Sequence, residues 1–599
     1  MPTNLKPTDG VVSFDILING AKIKDEVEVY EISLQMEINR ISSAIVVIGD
    51  GGPAIGLGND PFSNSEGNDF IPGNEITISL GYDSKTTDVF KGIITAQNLT
   101  VKSDKSQLTI TCKDKAVKMT KGRFNSIFQD KKDSDAISSI AGLHGLSATV
   151  DATTVQHPAL AQYNCSDWDF VVTRAELSNM IVLTDSNSLV VKKINFSDTA
   201  NFEINATQVV IDIDLSLDSE NVASDYELTS WDDKTQQATV SSVSISSDLS
   251  LGNIAASKLS QAIHSGNINR FSSARLTTDE LKLWGDSLAS KAVLSKIQGK
   301  ITIPGVSGIK AGDIVVLSGF SARFNGNAYI TKVGHSVQDG NWLTTLYVGK
   351  YPQWHAALPE VADQNASGLL PPVNGSQIAT VKKIDQDPDG SYRVQIILPA
   401  FTGTGQDNGI WARIVFPYAS ADAGFFFFPE IGDEVLVTFI NDDPRYPIIT
   451  GALYSTKNKP KETPDAKNQF KSIYTKSGIN IRFDDEDKIL TIKTPGGHSF
   501  TMDDKNKNII VEDLNKNKLT MSDAGISMES PKDIKLNAKG NVDITATSNI
   551  SLNATGDTKV DGMNVALTAK TGLTAKGNAT AEISASGQTT VKGGIVMIN

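Results

Sequence analysis

Cysteine is nearly absent: the 599-residue chain holds only Cys112 and Cys165, and they are not in a C-x-x-C spacing. Two such thiols can build neither a disulfide framework nor a cysteine metal site. Long apolar runs are missing as well. No stretch approaches the roughly 18 residues that cross a bilayer, and the start, MPTNLKPTDGVVSF, lacks the apolar core of a cleaved leader. The expectation is a protein made soluble in the cytoplasm without a signal peptide, exported only if something other than a leader carries it. Positive charge is in deficit: 55 Lys plus Arg face 69 Asp plus Glu, a net charge of -14. With no basic stripe to neutralise phosphates, nucleic acid is not an expected partner.

Catalytic and metal patterns are missing too. The six histidines, at 144, 157, 264, 335, 355 and 498, form no H-x-x-x-H or H-E-x-x-H and read as ordinary surface or core residues. No G-x-x-x-x-G-K-[ST] and no G-x-S-x-G occurs, so neither a nucleotide loop nor a hydrolase elbow is expected. The acidic run Asp484, Asp485, Glu486, Asp487 recurs as Asp503, Asp504 with lysines in place of acids, which fits a solvated turn better than a cation loop. The chain reads as non-enzymatic, with no cofactor and no metal.

What is present is β pattern. The length suggests about three or four domains. Apolar residues alternate at Ile32, Leu34, Met36, Ile38, at Ile76, Ile78, Leu80, Tyr82, and at Leu108, Ile110, Cys112, the period of half-buried strands. Val27 and Val29 lie on the opposite phase from Ile32 onward, which predicts a bulge near Tyr30. Three helices are predicted: one capped by Ser134 and ending at Gly142, one boxed by Ser166 and Asp169, and one boxed by Thr277 and Glu280 that runs toward Gly299. Residues 1–360 therefore read as an α+β hub, and the Pro- and Gly-rich 361–375 as a linker. Five short strands within 376–456 suggest a small closed barrel of OB type.

Beyond residue 458 aromatics thin out and repeats begin. Phe483, Met502 and Met521 are 19 residues apart, as are Ile481, Phe500 and Leu519, which suggests three copies of one strand-turn unit. From about 533 the period is eight: Leu536, Ile544, Leu552 and Val560 form one ladder, Ile534, Val542 and Ile550 another, and Leu567, Ile583 and Val591 continue it after a slip. Units this small bury too little apolar surface to offset ordering costs of about 1–2 kcal/mol per residue. Residues 475–599 are therefore expected to be a needle whose ladders meet on the axis of an intertwined homotrimer.

The stretch GIWARIVFPYASADAGFFFFPEIGDEVLVTFINDDPRYPIITGALY resembles the barrel of VgrG proteins, the trimeric spikes of type VI secretion systems, and of related hub and spike proteins of contractile phage tails. The resemblance rests on Trp411, Arg413, Phe425, Phe426, Phe427, Phe428, Pro429, Gly432, Asp433, Glu434, Asp443, Pro444 and Arg445. YNCSDWDFVVTRAELSNMIV (163–182) resembles the hub helix of the family, FKGIITAQNLTV (90–101) its preceding strand pair, and ASGQTTVKGGIVMIN its spike tip. The resemblance implies a mainly β spike: an α+β hub, an OB-fold barrel and a triple-stranded β-helix. It implies partners as well: a hexameric tube protein and baseplate at the hub, and a PAAR-type tip protein seated on Ile595, Val596, Met597, Ile598 and Asn599. Effectors would be carried indirectly, since the needle runs to Asn599 with no fused effector expected, and a target membrane would be met mechanically. Alternation is expected to send two of the four phenylalanine rings into the barrel and two outward, the outer pair covered between copies. A trimeric adhesin or tail fibre would share the rod but has no need of the barrel motif.

Overall fold

Strict alternation of branched apolar with polar residues dictates sheet in the first half of the chain, and the computed structural model shows it there. It describes residues 2–6, 10–54, 58–102, 105–245, 249–264, 266–361, 364–401 and 409–598. Two compact units result, Met1–Leu453 and Tyr454–Asn599.

In the first unit a fourteen-stranded sheet forms among the described residues, with Val29–Glu37 between Gly326–Gln338 and Ser43–Gly49. Ile32, Leu34, Val46, Ile78, Leu80 and Leu108 are fully buried on one core of this sheet, and Ile204, Val315, Ile330 and Leu346 on a second. The predicted bulge is present: pairing with Ser43–Gly49 slips between Val29 and Glu31, which moves the phase across Tyr30. The segment 90–101 is not a strand pair. It lies inside one long strand, Lys85–Val101.

Four α-helices occur among the described residues. α1 (Asp133–Leu143) starts earlier than predicted, with Lys132 at its N-cap, because the hydroxyl of Ser134 is engaged with Thr153. The stop also moves: the helix passes Gly142 and the chain turns at Gly145, φ +66°. α2 (Asp167–Leu177) is capped as predicted, Ser166 Oγ accepting from the Asp169 amide at 3.1 Å. Its Trp168, Phe170, Val171 and Val172 fill a core shared with α1. α3 (Ala256–Ile263) was not expected. α4 (Thr278–Lys296) has the Thr277 and Glu280 capping box and covers one face of a three-stranded sheet formed by Gln237–Ser244, Asp225–Asp232 and Ile268–Ser272. It ends at Lys296, short of Gly299, where the chain turns into the strand Ile297–Pro304.

The barrel closes from Gln377–Lys383, Val394–Ile397, Ile410–Ile414, Pro447–Ala452 and Glu434–Phe439, in that order around the ring. Its interior is small and branched: Val381, Val394, Ile396, Ala412, Val435, Val437 and Ile449. The expected linker does not hang free. Val373 packs on the barrel core, its amide donates to Asp442 O at 2.8 Å, and Ala366 is only 1% exposed.

In the second unit seven strands from Phe470–Tyr474 to Gly525–Glu529 form an antiparallel meander, each bonded to its sequence neighbours. Asn480–Asp484, Ser499–Asp503 and Lys518–Ser522 repeat at 19 residues, and so do Phe470–Tyr474, Ile489–Lys493 and Asn508–Glu512. The repeat is thus a two-stranded hairpin rather than one strand and a turn, and it begins at Phe470, before residue 475. Through 530–598 no strand forms within one chain.

Candidate functional site

The barrel motif lies on the strands Ile410–Ile414 and Glu434–Phe439 and on the loops beside them. Arg445 grips Asp443 twice, Nε to Oδ1 at 3.0 Å and Nη2 to Oδ2 at 2.6 Å, while its amide also donates to Oδ1. These charge-assisted bonds hold the Asp443 carboxyl below its ordinary range and rigidify the loop that contains Pro444. Gly432 takes φ +92°, a turn that disfavours any side chain, and its amide donates to Val381 O. Asp433 accepts from the Glu430 amide at 2.8 Å just after Pro429, and Glu434 opens the next strand. Trp411 is half-buried and Arg413 exposed on Ile410–Ile414.

The four phenylalanines depart from the expected two-in, two-out pattern. Phe428 alone packs on the barrel core, 5.9 Å from Phe416, while Phe425, Phe426 and Phe427 are 51%, 74% and 57% exposed. The cause is backbone: Ala419–Ser420 and Ala423–Gly424 make a tight hairpin, the Phe425 amide returns to Tyr418 O, and no strand follows to enforce alternation. The rings pack on each other at a tilt instead, Phe426 with Phe428 at 4.8 Å and Phe425 with Phe427 at 6.4 Å. Tyr392 and Tyr418 extend this apolar surface around a 680 Å³ cavity beside Arg413.

The needle ladders are not brought together within one copy. Leu536, Val542, Ile544, Ile550, Leu552, Val560, Leu567, Ile583 and Val591 are all between 56% and 85% exposed. The meander has a milder version of the same face: Ile473, Ile492 and Val511, and likewise Phe483, Met502 and Met521, each 19 residues apart, are 38–43% exposed. At the end Ile595, Met597 and Ile598 exceed 80% exposure and Val596 is half covered, while Asn599 lies outside the described residues. Exposed apolar area of this extent is a hallmark of an interaction surface. The turns bear a feature that periodicity did not suggest: Lys467 binds Glu486 and Lys505 binds Asp487, so acids of one turn receive lysines from the layers on either side. The acidic run is therefore a braced turn, and no group of metal-binding side chains forms among the described residues.

In its barrel and repeats the chain resembles VgrG-type and phage-tail spike proteins, and residues 377–454 match the Type VI secretion system/phage-baseplate injector OB domain. Residues 8–339, more than half of the chain, match the Alg8 N-terminal domain, and the chain belongs to that family. The type VI secretion system spike protein VgrG1a of Pseudomonas aeruginosa is 28% identical over 199 residues, 31% of each chain. The actin cross-linking toxin VgrG1 of Vibrio cholerae is 34% identical over 105 residues, 16% of this chain and 10% of that one. The chain spans about a tenth to a third of the length of the curated relatives it matches. Among solved structures, a type VI secretion component of E. coli aligns at TM-score 0.36 and 13% identity, covering 73% of this chain and 99% of that one. A 43 kDa prophage tail protein from Shewanella oneidensis aligns at TM-score 0.45 and 11% identity, covering 57% of this chain and 98% of that one.

Proposed function

We propose that the chain is the central spike of a contractile injection machine, active as a homotrimer and without enzymatic activity of its own. The observation that carries this reading is the row of ladder side chains from Leu536 to Val591, exposed in one copy at a spacing of eight. Burying each such side chain contributes about 1.5–3 kcal/mol, and three copies wound together would bury all of them on one axis while supplying the strand partners that 530–598 lack. On this reading the hub meets a hexameric tube protein and baseplate, and Ile595–Ile598 seat a PAAR-type tip. Sheath contraction elsewhere supplies the work, and the rod punctures a target membrane and delivers effectors carried by the tip or by adaptors. The machine itself exports the spike. The equivalent spike of a phage-tail-like particle is the second reading, favoured by the barrel, whose matched domain is named for secretion systems and phage baseplates alike.

Native mass spectrometry of the full chain beside a version ending near Gly478 tests the proposal. Three chains are expected for the full protein, and a markedly less stable assembly for the shortened one. A folded monomer of the full chain would sink it.

A further inference from the structure

The hub holds a partly open cavity of about 220 Å³, apart from the barrel motif. His335, on the strand Gly326–Gln338, lines it and is only 2% exposed. The tautomer follows from its neighbours. The Trp342 indole N–H, which can only donate, points at His335 Nδ1 at 3.4 Å, and the Thr344 hydroxyl lies 3.0 Å from the same nitrogen. Nδ1 is thus the acceptor and the proton sits on Nε2. Burial keeps the ring neutral, pushing its pKa down to about 4. Nε2–H has no acceptor among the described residues, and the ring lines the cavity.

The charges around it are largely settled. Glu37 pairs with Lys350, Asp88 with Lys91 and Asp185 with Lys310. Among the described residues, one cation and one anion of the lining make no ion pair: Lys192, whose Nζ donates to Gly312 O, and Asp313, which accepts from the Lys310 amide. Val89, Leu183 and Ile309 add apolar wall to a lining that is otherwise mostly polar. An occupant must therefore carry no net charge, accept from the His335 and Lys192 N–H groups, donate to Asp313 and rest hydrocarbon on the walls. Hydroxyl groups on a short carbon skeleton do all four, and the volume equals about seven waters at about 30 Å³ each.

We propose that this cavity is a binding site for a small neutral polyhydroxylated molecule, of triol to single-sugar size. Saturation-transfer NMR on the full chain, with glycerol and glucose as probes and acetate as the charged control, tests it. Transfer to one of the polyols and none to acetate is expected. Lys192→Met should weaken binding about tenfold, the loss of roughly one hydrogen bond. The polyol should also shift the ¹⁵N resonance of His335 Nε2. His335→Phe, which keeps the ring but not the donor, should abolish binding. No transfer to either polyol, as for a cavity filled by water alone, or transfer undiminished in both variants, overturns the proposal.

Discussion

His144, His157 and His355 each face a carboxylate, Asp167 at 2.7 Å, Asp133 at 3.3 Å and Asp169 at 2.9 Å, and so tie the end of α1 to α2, the strand Gln156–Cys165 to α1, and the last turn of the hub to α2. His335 has no such partner, and its depressed pKa makes it an acid-sensitive point. An unfolded imidazole takes up its proton near pH 6.5, whereas the folded one resists until about 4, so the unfolded state binds more protons between these values. The contribution is complete above pH 6.5 and is lost as pH falls toward 4, by about 3 kcal/mol at the lower end. Urea unfolding of the wild type and of His335→Phe across this range should give curves that converge as the pH drops. A second residue-scale expectation concerns Phe425, Phe426 and Phe427. Changing all three to serine removes exposed rings, so a hub–barrel fragment should keep its stability within about 0.5 kcal/mol, while the full assembly should melt at a lower temperature if copies cover the rings. Equal melting of the full-length proteins would remove these rings from the assembly surface.

Elements were legible where one signal governed them alone. The five barrel strands, the bulge at Tyr30 and the capped starts of α2 and α4 follow from alternation or from one cap residue, and the fold agrees. α3 left no such mark, since its N-cap, Ala255, makes no side-chain bond. Phe425–Phe428 misled because a hairpin at Ala419–Gly424 overrides alternation. The ladder residues were legible as a period, but what covers them was not, since within one copy they touch nothing that buries them. The 19-residue hairpins illustrate both cases. Their turns use left-handed backbone at Gly478, φ +91°, at Gly497, φ +97°, and at Lys516, φ +68°. Lys516 sits where an L-residue is tolerated, whereas Gly497 lies well beyond that region. Gly497→Ala should therefore cost about 1–2 kcal/mol in a thermal melt, and an unchanged melt would mean the turn relaxes without strain.

The whole molecule divides its sources of stability. Met1–Leu453 encloses several buried cores of its own, whereas Tyr454–Asn599 has hydrogen-bonded hairpins followed by a segment whose apolar side chains face solvent in the single copy. The first carries its cores within one copy; the second, on the proposed reading, is completed only by its sisters. The neighbour-only pairing of the meander also has a kinetic side. Contacts so close in sequence close quickly, since little loop entropy stands in the way. After denaturant is diluted out, the hairpins should return at a rate indifferent to protein concentration, whereas recovery of the heat-resistant rod should rise steeply with it, because three molecules must first find one another.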